Sequence, residues 1–131
     1  MLLSGEPYRP VMSLASPKSD AVSTAVAALD AGHQIDRTVL RDAVRVLLTA
    51  LRQRAPGRSV EMRVPPYGAI QCVEGPAHTR GTPPNVVETD PITFVLLATA
   101  RLTWADAVRD GRITASGVRA DLSPYLPVWT P

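Results

Sequence analysis

The chain of 131 residues is long enough for one domain with a packed core and too short for two ordinary domains. Its net charge of +2 gives no reason to expect a nucleic-acid partner, and with only 5% aromatic residues the core must consist mainly of Val, Leu, Ile and Ala. Cys72 is the only cysteine, so an intrachain disulfide and a multi-cysteine metal site are excluded, and a reducing cytoplasm is the expected compartment.

Two helices are predicted in the first half of the chain. Residues 1–19 carry three prolines with scattered Ser and Gly, so we expect an irregular arm outside a single domain of residues 20–131. Residues 21–29 are rich in Ala and predict a short helix that Ser19 or Asp20 caps and Gly32 closes. Asp36 is a good N-cap for a second helix over residues 37–54, which Pro56 and Gly57 end.

The second helix carries two sets of residues at helical spacing. The apolar set is expected to face the core and consists of Leu40, Val44, Leu47, Leu48 and Leu51. The basic set is expected on the other face of the helix and consists of Arg37, Arg41, Arg45 and Arg52. Such a row of arginines could attract an anionic lipid surface, a phosphate or CoA, but a solvated helix face is the simpler interpretation.

Two strands and a loop are predicted next. Residues 60–64 alternate between apolar and charged side chains, as in a strand with one buried face, and Pro65 and Pro66 stop it. Residues 67–74 predict a second strand, whose less regular alternation suggests burial on both sides. The prolines favour a bend or bulge over a tight two-residue turn. Residues 75–85 hold three prolines and two glycines and are expected to form a loop.

A short third strand over residues 86–89 precedes the most clearly specified helix. Asp90 is an N-cap and Pro91 takes the first helical position, where its missing N–H costs nothing, so a helix to about Ala100 is predicted. Thr103 and Asp106 resemble a shortened capping box and predict a second short helix through residue 109.

The last part of the chain predicts a strand and a tail. Gly111 supplies a left-handed helix end, and residues 112–116 alternate as a fourth strand. Residues 120–131 are apolar but broken by prolines, so this tail must either pack on the domain or leave apolar side chains exposed.

The order of these elements resembles the C-terminal half of the sterol carrier protein type 2 family. The matching pieces are Thr89-Asp90, Ala98-Thr99-Ala100-Arg101-Leu102, residues 105–108, and Gly111-Arg112-Ile113 to Gly117. The preceding half is similar to a small actinobacterial subgroup of sterol carrier-like proteins, so the resemblance covers roughly residues 36–128. It implies an α/β (α+β) fold in which a mostly antiparallel sheet of about five strands is covered on one side by helices.

The same resemblance implies a non-catalytic lipid-binding or lipid-transfer function. An apolar tunnel between sheet and helices would take a fatty acyl chain, an acyl-CoA or a sterol-like molecule. Its expected lining is Phe94, Leu97, Val108, Ile113, Leu122, Tyr125 and Leu126. Arg80, in a polar loop, is a candidate contact for an anionic group.

No catalytic group, metal or cofactor is predicted. His33 and His78 are the only histidines and are far apart in sequence, and Cys72 lies in an apolar strand without a neighbouring base, where burial would raise its pKa. The chain contains no G-x-S-x-G, Walker or G-x-G-x-x-G motif. No segment has the apolar length that a transmembrane span needs.

Two other functions remain open alongside lipid binding. Sterol carrier-like domains are also similar to the C-terminal domain of mycothiol-dependent isomerases, so the chain could be an accessory or interaction module that needs a partner protein. Alternatively, it could be a dimerising protein with a closed core, in which the tail around Tyr125 to Trp129 and the N-terminal arm exchange across a two-fold interface.

Overall fold

Two helices, three strands, two helices and a fourth strand follow one another along the chain in a computed structural model that describes residues 17–76 and 84–131. The elements are α1 (Pro17–Asp30), α2 (Arg37–Arg54), β1 (Val60–Val64), β2 (Gly68–Cys72), β3 (Asn85–Thr89), α3 (Pro91–Ala98), α4 (Trp104–Arg109), β4 (Ile113–Ser116) and a 3₁₀ turn (Ser123–Tyr125). The arm expected over residues 1–19 lies mostly outside the described residues. The predicted start of the first helix is wrong: α1 begins at Pro17, before the predicted caps Ser19 and Asp20, and proline suits the first turn of a helix.

The end of α1 and the start of α2 follow the capping residues predicted for them. Gly32 closes α1 with φ of +73°, while the backbone N–H of His33 donates to the carbonyl of Ala28 at 2.8 Å. The Asp36 carboxylate accepts from the backbone N–H of Thr38 at 3.0 Å at the start of α2. The predicted bounds of the second helix, residues 37–54, are therefore confirmed.

The described strands form one sheet in the order β2-β1-β3-β4. β1 pairs antiparallel with β2 and parallel with β3, and β3 pairs antiparallel with β4. The predicted mixed fold with a mostly antiparallel sheet is thus confirmed, although the described residues contain four strands where about five were expected. The apolar tail does not supply a fifth, because Pro124 and Pro127 interrupt it and proline cannot donate to a strand ladder.

The β1–β2 hairpin corrects the prediction that the second strand is buried on both sides. Residues 65–67 form the turn, in which the N–H of Tyr67 donates to the carbonyl of Val64 at 2.9 Å. β2 lies at the edge of the sheet, where Gly68 and Ala69 are exposed and only Cys72 is buried. Position at an edge leaves one long side of a strand open to solvent, whatever its sequence.

One face of the sheet carries the core. The register places Met62 opposite Ile70 and Val87, so these side chains share a face, and Glu61 lies on the other face, where Arg63 binds it at 3.1 Å. Most of the largest fully buried side chains are apolar residues of β1, β3 and the three longer helices, namely Val22, Val44, Leu47, Leu51, Val60, Met62, Val64, Val87, Phe94 and Val95. The predicted core face of α2 is confirmed except at Leu40, which is only half-buried.

The short helices α3 and α4 also follow their predicted caps. The Asp90 carboxylate accepts from the Thr93 backbone N–H at 3.0 Å and from the Thr93 hydroxyl at 2.6 Å. The Thr103 hydroxyl accepts from the backbone N–H of Asp106 at 3.1 Å. α3 ends at Ala98, two residues before the expected end, and Gly111 has the predicted left-handed backbone with φ of +71°.

Candidate functional site

A half-enclosed apolar pocket lies where α3 ends and α4 begins. Its volume is about 350 Å³, near the lower end of the range typical of small-molecule sites. The lining comprises Leu97, Ala100, Leu102, Thr103, Trp104, Ala105, Ser123, Leu126 and Pro127. No charged side chain belongs to this lining, so the pocket suits an apolar group.

The floor of this pocket comes from the way α3 ends. Every residue of α3 is at least half-buried, so the helix has apolar contacts all round, including Leu97 at 3% exposure. Ala100 then adopts a left-handed backbone with φ of +67°, and the N–H groups of Arg101 and Leu102 both donate to the carbonyl of Leu96. This closure turns the chain sharply and brings Leu102 and Trp104 to the side of the pocket.

The other wall of the pocket is the C-terminal tail. The backbone N–H groups of Val128 and Trp129 both donate to the carbonyl of Ala98, at 2.9 and 3.1 Å. That carbonyl is one of the last in α3, where no further turn of helix would satisfy it. The tail therefore completes the helix end and holds Leu126 and Pro127 over the pocket.

Arg101 fixes the same helix end from the opposite side. Its guanidinium donates to the carbonyl of Thr99 at 2.7 Å and to both carboxylate oxygens of Asp30, at 3.0 and 2.8 Å. The hydrogen bond from Arg101 lowers the pKa of Asp30 from its ordinary value of 3.8, with a smaller contribution from the guanidinium charge. A cation at the C-terminus of α3 also suits the helix dipole.

The family of the chain follows from its sequence over this same fold. Residues 36–128 match a family model described as bacterial SCP ortholog. The chain belongs to this family. The match includes every element from α2 to the tail, so the predicted membership of a sterol carrier protein-like family is confirmed. No curated protein matches the chain in a sequence search.

Two of the seven side chains that were predicted to line a tunnel in this sterol carrier protein-like chain lie together in the structure. Leu97 and Leu126 both line the pocket at the end of α3. Tyr125 lies just outside it, in a second surface pocket of about 400 Å³ with Arg54 and Glu74.

The other four side chains lie away from this pocket. Phe94 and Leu122 are buried in the main core, at 1% and 0% exposure, and Ile113 is half-buried beside that core. Val108 is 50% exposed on α4. Arg80 and His78 lie outside the described residues.

Sequence reasoning missed several residues of the pocket. Leu102 enters the sequence analysis only as the end of the segment Ala98-Thr99-Ala100-Arg101-Leu102, and neither Trp104 nor Pro127 is among the predicted tunnel residues. The signal in the sequence is the apolar content of this short connection: Leu102 and Trp104 flank the cap residue Thr103, whose own side chain is engaged by the backbone of α4. Apolar residues at a helix start need a partner surface, and here the tail supplies it.

Two further predictions concern groups away from the pocket. Cys72 is buried in β2, and burial raises the pKa of its thiol to about 11, as expected for a core cysteine. His33 is exposed in the turn after α1. Within residues 17–76 and 84–131, no three His, Cys, Asp or Glu side chains are close enough to hold a metal ion. The helices of these residues include none that is long and apolar enough to cross a membrane.

Proposed function

We propose that the protein binds and carries a lipid, and that the lipid inserts an acyl chain into the pocket at the end of α3. Membership of a sterol carrier protein-like family supports a lipid ligand. The observation that carries the site is the lining itself, where Leu97, Trp104 and Leu126 face one space without a charged neighbour. An apolar group placed there would lose contact with water without stranding a charge.

The size and shape of the pocket favour an acyl chain over a whole sterol. A volume of about 350 Å³ is small among ligand sites, and the pocket is open on one side. A polar headgroup would therefore remain at the opening, and the polar groups among the lining side chains are the hydroxyls of Ser123 and Thr103 and the indole N–H of Trp104. We infer a fatty acyl group, free or esterified, as the ligand class.

The protein acts in this proposal as a carrier and catalyses no reaction. It needs no cofactor, and its ligand is held by apolar contact alone. We place the protein in the cytoplasm. Three further points stay predictions: that it belongs to an actinobacterial subgroup, that it forms a homodimer, and that it consists of an arm of residues 1–19 and a domain of residues 20–131. Sedimentation at micromolar concentration would test the homodimer.

The pocket can be filled without disturbing the core. Ala105 is exposed in the first turn of α4 and lines the pocket, so Ala105→Phe places a ring in the space proposed for the acyl chain. We expect this variant to bind a fluorescent fatty acid at least about tenfold more weakly than the wild type, a loss of roughly 1.4 kcal/mol. Ala27→Phe adds the same ring at an exposed position of α1 and should bind like the wild type.

The outcomes separate lipid binding from the other functions. Native mass spectrometry and lipid extraction of the purified wild type should show a co-purifying acyl lipid. Absence of lipid together with absence of fatty-acid binding would reject the proposal and favour an accessory module, which a pull-down of a partner protein would identify. Equal weakening by Ala105→Phe and Ala27→Phe would place the ligand elsewhere on the protein.

A further inference from the structure

A row of four arginines runs along one flank of α2. Because an α-helix turns about 100° per residue, these four side chains fall within roughly a quarter of its circumference, and they extend along about 22 Å of the helix. The arginine row consists of Arg37, Arg41, Arg45 and Arg52. It lies beside the buried face of α2, not opposite it, because Arg45 reaches the hairpin that packs against the same helix: its guanidinium donates to the carbonyl of Tyr67 at 3.1 Å.

The charge of the arginine row is only partly balanced. Asp42 is the only acidic residue within α2, and it is engaged by Arg41 at 3.1 Å. The Asp36 carboxylate before the helix accepts from two backbone N–H groups and keeps its negative charge, so four arginines face two carboxylates. Arg37 and Arg52 are exposed and form no ion pair with residues 17–76 or 84–131.

Helix stability does not account for the whole row. A cation in the last turn, such as Arg52, is favoured by the helix dipole, but a cation in the first turn is disfavoured. Arg37 occupies the first position of α2, where its charge opposes the dipole. Its presence there is explained if the row has an anionic partner.

An apolar surface adjoins the arginine row at the tip of the β1–β2 hairpin. The hairpin tip comprises Pro65 and Pro66, which are exposed, and Tyr67, which is half-buried. The hydrogen bond from Arg45 to Tyr67 joins the tip to the row. The acidic residues near the tip have basic neighbours: Glu61 binds Arg63 at 3.1 Å, and Glu88 and Asp90 line a hollow with Pro65 and Arg112.

A basic row beside an apolar tip matches the surface of an anionic bilayer. Guanidinium groups bind the lipid phosphates, while proline and tyrosine side chains suit the boundary between headgroups and acyl chains. A nucleic acid offers the phosphates, but its backbone has no counterpart for the apolar tip.

We propose that the arginine row and the hairpin tip dock the protein on the surface of an anionic lipid bilayer. Docking is reversible and salt-dependent, since a few exposed arginines supply only weak attraction that ions screen. The inference does not depend on the proposed acyl pocket, because the row and the tip are separate from its lining.

The test compares two double variants with the same change in net charge. R37Q/R52Q removes two unpaired charges of the row, and R109Q/R119Q removes two exposed arginines elsewhere. The probes are vesicles of phosphatidylcholine alone and of phosphatidylcholine mixed with phosphatidylglycerol, in co-sedimentation at low and physiological salt. We expect the wild type and R109Q/R119Q to bind only the mixed vesicles, and R37Q/R52Q to bind them roughly 25-fold more weakly, about fivefold per arginine.

Each result has a fixed meaning. Failure of the wild type to bind mixed vesicles, or equal weakening by both double variants, would overturn the proposal. Equally tight binding of random duplex DNA by the wild type, weakened in the same way by R37Q/R52Q, would also overturn it, because the row would then be a general polyanion site. Ala105→Phe should dock normally, and R37Q/R52Q should bind fluorescent fatty acid normally, so failure of this proposal and failure of the acyl pocket remain distinguishable.

Discussion

Two apolar regions meet at α3, and they differ in what occupies the space around the helix. In the middle of α3, Phe94 and Val95 are surrounded by other side chains of the core, at 1% and 0% exposure. At its end, Leu97 faces a half-enclosed pocket of about 350 Å³. Both regions are lined mainly by apolar side chains. Apolar composition therefore does not distinguish a filled core from an open pocket, whereas the shape of the neighbouring chain does.

Thiol reactivity gives the largest expected contrast between the two regions. Cys72 belongs to the core, where it is fully buried and its pKa is raised to about 11, so it should react with a thiol reagent only when the protein opens. Ser123→Cys places a thiol in the exposed lining of the pocket. We expect it to react at least roughly a thousandfold faster than Cys72 at neutral pH, corresponding to an opening free energy above about 4 kcal/mol.

Bound lipid would sharpen this contrast. Addition of a fatty acid should slow the reaction of the Ser123→Cys thiol by covering it, and should slow the reaction of Cys72 only as far as binding stabilises the closed protein. Rapid labelling of Cys72 in the folded wild type would show that the core beneath the sheet is open, and it would erase the distinction between the two regions.

The second-largest effect is expected from truncating one side chain in each region. Phe94→Ala should lower the free energy of unfolding by about 3–5 kcal/mol, because it leaves a cavity in a packed core. Leu126→Ala removes a half-buried side chain at the pocket and should cost only about 1 kcal/mol. Urea unfolding measures both values, and Leu126→Ala should nevertheless be the variant that weakens fatty-acid binding more at a concentration where both are folded. Equal losses of stability would contradict the difference in packing.

The capped start of α3 gives the smallest expected effect and adds a dependence on pH. Burial alone would raise the pKa of Asp90, but the hydrogen bonds from the hydroxyl and backbone of Thr93 and the charge of Arg112 outweigh it, and the pKa is lowered from 3.8. Asp90→Ala should cost about 1 kcal/mol at neutral pH.

The sign of this pH dependence follows from the lowered pKa. The contribution of the ionised Asp90 is fully present above pH 3.8, the unfolded value, and is lost as the pH falls below it through the folded value. The difference in unfolding free energy between wild type and Asp90→Ala should therefore shrink in acid. A difference that stays constant from neutral pH to acid would show that the cap does not act through the ionised carboxylate.

Local sequence predicted the helices well and the sheet less well. The start of α2 at Asp36, of α3 at Asp90 and of α4 at Thr103 follows from side chains that satisfy nearby N–H groups, an interaction contained within a few residues. The burial of a strand depends instead on which other segments of the chain lie against it. The sequence of β2 alternates weakly in either case, and its exposure follows from the absence of a described strand on its far side.

Some predicted site residues lie at the pocket and others lie in the core, again because contacts between distant segments decide their positions. Leu97 and Leu126 are distant in sequence, and only the hydrogen bonds from Val128 and Trp129 to the carbonyl of Ala98 bring the tail to the end of α3. Phe94 and Leu122 carry the same apolar signal but lie in the main core. A pattern of apolar residues records that a side chain avoids water, and it does not record whether protein or ligand replaces that water.

The sequence by itself determined the family, the capped starts of α2, α3 and α4, the buried cysteine and the charge of the arginine row, because each depends on residue identity or on neighbours within one or two helical turns. Tertiary structure alone decided which strands lie at the edges, where the tail docks and which apolar side chains enclose space. These features depend on contacts between segments far apart in the chain, whose positions are set by packing and by the pairing of backbone groups.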